Sequence, residues 1–97
     1  MAFFEIIFRA DDFLNAGFTG RDEIEDPLDE ALHAADYGEV TGGGTGLGFS
    51  NIDVEVRDNI RVDEAISFLR STLQSLNAPK STVIKCYKPK ETEWRVY

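Results

Sequence analysis

From Gly42 to Gly48 five of the seven residues are glycine. No helix survives such a stretch, because each interior glycine costs about 0.5–1 kcal/mol relative to alanine. The run therefore cuts the 97-residue chain into two halves, and whatever lies on either side must be joined across it. Directly after it comes an alternation typical of a strand with one packed face: Ile52, Val54 and Val56 point one way, Asn51, Asp53, Glu55 and Arg57 the other. Before it, Glu39–Thr41 reads as a short strand, so Gly42, Gly43, Gly44, Gly46 and Gly48 belong to the loop of a β-hairpin.

The remaining elements follow from periodicity. Phe3 to Ala10 is almost continuously aromatic or β-branched, which predicts a central strand buried on both faces. Residues 11 to 25 read as irregular, with a short helical turn at 11–16 or a binding role. Asp26-Pro27 opens a helix as N-cap and first residue, its apolar stripe is Leu28, Ala31, Leu32 and Ala35, and Gly38 ends it. Val62 to Leu76 carries the fullest helical stripe (Val62, Ala65, Ile66, Leu69, Leu73, Leu76), with Asn77 as a left-handed cap and Pro79 beyond. Ser81 to Tyr87 is a strand that Pro89 ends, and residues 91–97 form a last edge strand or a surface tail. Strand, helix, strand, strand, helix, strand is the order of a ferredoxin-like α+β domain, a single unit over residues 1–97, with both helices on one face of an antiparallel sheet. Asp53 and Glu55 then line the open face.

Charge narrows the partners. The formal net charge is −8, which disfavours nucleic acid and anionic membranes and favours a basic protein, or a second copy of the chain joined through its more basic C-terminal third. Eight carboxylates (Asp11, Asp12, Asp22, Glu23, Glu25, Asp26, Asp29, Glu30) crowd residues 11–30 against Arg21 alone. Their spacing is not that of a calcium loop. Asp22, Glu23, Glu25, Asp29 and Glu30, with Asp53, Glu55 and the aromatic Trp94, are the candidate partner-binding residues.

Catalytic and cofactor chemistry finds little. The glycine run lacks the G-x-G-x-x-G spacing and is followed by no lysine, so a phosphate loop is excluded. It remains open to close approach by a partner backbone, or to an anion nest. Cys86 is the one cysteine and His33 the one histidine, so neither a disulfide framework nor a common zinc set is expected. No cofactor and no metal are expected. The N-terminus has no basic segment and meets Glu5 early, which with the lone cysteine points to the cytoplasm. No apolar run approaches the ~18 residues of a membrane span.

With Gly42–Gly48 followed by Ile52-Asp53-Val54-Glu55-Val56, the arrangement resembles small stand-alone bacterial ferredoxin-like proteins, including acidic immunity-type inhibitors. That resemblance implies a cytosolic, non-enzymatic inhibitor seated on a basic toxin domain, and carries no residue-level role. Two other functions fit the same outline: a small-molecule-sensing regulatory domain contacting its ligand through the glycine loop, or a dimeric enzyme using Asp53, Glu55 and His33.

Overall fold

The computed structural model describes residues 2–88 and 91–97. It is an α+β fold of three helices and a five-stranded antiparallel sheet, in the order β1 (Ala2–Arg9), α1 (Ala10–Asn15), α2 (Asp22–Ala34), β2 (Gly38–Gly46), β3 (Phe49–Val56), α3 (Val62–Ser75), β4 (Val83–Lys88), β5 (Thr92–Arg95). The strands lie side by side as β2-β3-β1-β4-β5. The C-terminal segment is thus an edge strand. Pro89, expected to end β4, and Lys90 lie outside the described residues.

One apolar layer holds the fold. Phe4, Ile6 and Phe8 of β1, Ile52, Val54 and Val56 of β3, and Ile84 and Cys86 of β4 meet Ile24, Leu28 and Leu32 of α2 and Ala65, Ile66, Leu69 and Leu73 of α3. Cys86 is a buried free thiol in this layer, as a small apolar residue commonly is. Contrary to the expectation for β1, only one of its faces is buried. Phe3, Glu5 and Ile7 alternate with the core residues and are half-exposed on the other face, because no layer covers that side.

Both ends of α2 differ from the sequence reading, and β4 spans Val83–Lys88 rather than Ser81 to Tyr87. Helix α2 starts at Asp22, so Pro27 sits inside it. Proline in a helix interior costs about 3 kcal/mol or more. Burial of Ile24, one turn before Leu28, is worth about 1.5–3 kcal/mol and draws in the extra turn. Glu23 reaches back to accept the Thr19 amide at 2.7 Å and the Thr19 hydroxyl at 3.1 Å, and Arg21 pairs with Glu25 at 2.7 Å. At the other end Asp36, not Gly38, takes the left-handed position, with φ 57°. The Tyr37 amide bonds the Leu32 carbonyl and the Asp36 amide that of His33, a Schellman closure. Gly17 and Asn77 close α1 and α3 in the same way, with φ 94° and 62°.

The glycine run is the larger correction. Gly42, Gly43, Gly44 and Gly46 lie within β2, paired with Asp53, Ile52, Asn51 and Phe49 of β3. The loop is the two residues Leu47 and Gly48, both left-handed at φ 53° and 81°, as a type I′ turn requires. A bulge at Thr41 shifts the register between Val40 and Gly42. A strand so rich in glycine has weak propensity of its own, and it persists because the tight turn and β3 impose the pairing.

Candidate functional site

The open face of the sheet is read off the register. One row of side chains crosses all five strands: Gly42 beside Asp53, Asp53 beside Glu5, Glu5 beside Lys85, Lys85 beside Glu93. A second row runs Gly44, Asn51, Ile7, Val83, Arg95, and a third sets Glu39 beside Glu55 and Phe3. Like charges therefore stand opposite one another twice, Glu5 against Asp53 and Glu39 against Glu55. Such pairs weaken a sheet. Among the described residues none of these four carboxylates belongs to an ion pair.

Part of the acidity is absorbed by neutral donors. The Tyr87 hydroxyl donates to Glu5 Oε1 at 2.6 Å, and Asn51 Nδ2 donates to Asp53 Oδ1 at 3.0 Å. The bond to Glu5, then partial burial and the surrounding negative charge, push the Tyr87 phenol up to about 12. Lys85 Nζ lies 5.3 Å from the Tyr87 ring centre, within cation–π range. Glu55 and Asp53 remain half-exposed, and their cross-strand neighbours are Phe3, Glu5, Glu39 and Gly42; Arg57, just beyond β3, lines a pocket with Glu55 while its guanidinium pairs with Asp36 at 3.1 Å.

The residues singled out from the sequence separate into three places. Asp53 and Glu55 share the open face, as expected from the alternation of β3. Asp22, Glu23, Glu25, Asp29 and Glu30 are on α2. There Glu23 and Glu25 hold the helix start, and Asp29 accepts the Val40 amide at 2.8 Å; Asp22 and Glu30 are exposed. The amides of Thr19 and Gly20 hold the Glu23 carboxyl below its ordinary range. Trp94 is opposite Ile84 on the helix side of the sheet, partly buried against the core and beside Val62, Ile66 and Arg70. Sequence reading missed Glu5 and Glu39. Their signal was present, since Glu5 interrupts an apolar strand and Glu39 is the charged residue of β2, but only the register places them beside Asp53 and Glu55.

His33 lies at the end of α2, its Nδ1 2.9 Å from the Asp29 carbonyl. It lines a shallow pocket with Gly38, Glu39, Glu55 and Arg57. Asp53 does not line it, so the three residues considered for acid–base work are not gathered at one point. No group of three or more histidine, cysteine or carboxylate side chains among the described residues is placed to hold a metal ion, and no helix is long and apolar enough to cross a membrane.

The glycines divide by what they permit. A Cβ on Gly38 would fall 2.0 Å from the Glu55 carbonyl oxygen, and one on Gly43 would fall 2.4 Å from that of Asn51 and 3.2 Å from Arg21 Nε. Those two positions require glycine. Gly42 and Gly44 have only ordinary contacts at 3.6 Å, Gly46 has open space, and none of the three has a positive φ. Compared with family models, with curated proteins and with solved structures, the chain finds no match in any of the three.

Proposed function

We propose that this chain is a non-enzymatic protein-binding module, most concretely a small acidic inhibitor of the immunity type, that docks onto a basic protein. The observation that carries this reading is the facing of Glu5 by Asp53 and of Glu39 by Glu55 on an uncovered sheet face. An isolated fold gains nothing from these repulsions, whereas a cationic surface laid over them relieves both at once. Breaking a local rule where a site would lie is the usual sign of function in an otherwise consistent sequence. The architecture is read as a ferredoxin-like core, with α1 and β5 as additions. The βαββαβ order of the other six elements, and β1 between β3 and β4, support that reading.

The test pairs stability with capture. Asp53→Asn/Glu55→Gln should melt higher than wild type, yet lose a stoichiometric basic partner that immobilised wild type retains from the source cell at physiological salt. A partner that is acidic, or one held equally by the double variant, would overturn the reading. The enzymatic alternative has one geometric foothold, the meeting of His33 and Glu55 in the shallow pocket. A ligand raising the melting temperature of wild type, but not of His33→Ala, would favour a small-molecule function instead.

A further inference from the structure

The face just described ends at β2, an outer strand paired with β3 alone. The tight turn makes Gly46 and Phe49 a hydrogen-bonded pair, so by alternation Gly44 and Gly42 also direct their amides and carbonyls to β3. Those of Gly43 and Thr45 point away from the sheet. Nearer the start of the strand, the Val40 amide is occupied by Asp29. Unpaired backbone groups on an outer strand are a template for another strand.

We propose that β2 receives an extended, lysine- or arginine-bearing segment of the partner as a sixth strand of the sheet. This rests on the basic-partner reading above and specifies how the partner is held. The choice of occupant comes from charge and from the glycines that neither backbone nor packing demands. Gly42, Gly44 and Gly46 lie on the open face with no steric reason to be glycine. They leave a bare track between the added strand and the Asn51–Asp53 side of β3. A long basic side chain laid flat across that track meets the Asp53 carboxylate, with Glu39 and Glu55 beside it, none of the three carrying an ion pair among the described residues. A second copy of the chain would bring another net charge of −8 to the same edge. At the far end of the edge, the fully exposed Leu47 and the half-exposed Phe49 offer an apolar contact, so the segment has a basic end and an apolar end.

The probe is a synthetic peptide of about eight residues, an ordinary strand length, with lysine at alternate positions, threonine between and leucine at one terminus. Controls replace lysine by glutamate or place the lysines consecutively. Wild type should bind the alternating lysine peptide at least tenfold more tightly than either control, and the Gly43 and Thr45 amides should gain exchange protection in the complex. Thr45→Pro removes an outward amide at an edge position where proline is tolerated, and Gly42→Val/Gly44→Val fills the track with strand-favouring side chains. Each should weaken binding at least tenfold. If a variant fails to fold, the protection pattern of wild type decides. Tight binding retained by both folded variants, or protection gained elsewhere than on β2, overturns strand addition and leaves basic docking intact. No preference for lysine over glutamate peptide removes both readings. A wild-type dimer in sedimentation that Thr45→Pro dissociates assigns the edge to a second copy and overturns the proposal.

Discussion

Asp29 on α2 accepts the backbone amide of Val40 on β2 at 2.8 Å, so a helix carboxylate closes the first part of an otherwise open sheet edge. Removing the acceptor strands a partly buried amide, at a cost of about 1–2 kcal/mol. Asp29→Ala should lose that much in urea unfolding and speed exchange at Val40. Asp29→Asn, which keeps an acceptor oxygen, should lose less than half of it.

Gly43 and Gly42 are neighbours with opposite requirements. Gly43→Ala drives a methyl into the Asn51 carbonyl and Arg21 and should destabilise by about 1–3 kcal/mol. Gly42→Ala meets nothing closer than 3.6 Å and should gain about 0.5 kcal/mol by restricting the unfolded chain. Paired denaturant titrations at constant slope check both.

Pro27 interrupts the ladder of α2. Pro27→Ala restores an amide able to bond the Glu23 carbonyl, and should stabilise by about 1–2 kcal/mol after allowing for the freer unfolded chain. A melting temperature unchanged or lowered would show that the helix start depends on the ring.

Leu47 occupies a left-handed turn position with its side chain wholly in solvent, a conformation that suits asparagine far better. Leu47→Asn should stabilise by about 0.5–1 kcal/mol while weakening the lysine peptide, because the apolar end of its site is lost. Calorimetry on both steps separates the two effects.

Tyr87 holds its proton more tightly in the folded protein, up to about 12 against an ordinary 10.0. Its contribution is therefore complete below pH 10 and disappears as pH rises toward 12. Tyr87→Phe should lose stability at neutral pH and show a flatter decline across that alkaline window. Phenolate absorbance of wild type should contain a late-titrating component that the variant lacks.

Much of the fold was legible because it rests on local periodicity. The stripe from Val62 to Leu73 and the alternation from Asn51 to Val56 appear in the structure as read, and Asn77 takes its left-handed cap. The start of α2 was hidden because Pro27 resembles a first helical residue, while the extra turn rests on burial of Ile24 together with the Thr19–Glu23 and Arg21–Glu25 contacts. The glycine run was misplaced because intrinsic preference argues against a strand there, and only pairing with β3 overrides it. Asp53 and Glu55 were visible as site residues, whereas Glu5 and Glu39 became so through register, a relation between distant segments that no single window contains.

The bulge at Thr41 has a consequence for assembly. Each copy ends in two different edges, long β2 and four-residue β5, and joining one to the other is a head-to-tail contact, which runs on as a filament unless its rotation closes a ring. Deleting Thr41 would leave every other pairing of β2 as it is and straighten the edge along its whole length. The chain would then carry a flat template at one end and a receiver at the other, the geometry of a fibril. A single residue outside the register thus breaks what would otherwise be one long regular glycine-rich edge.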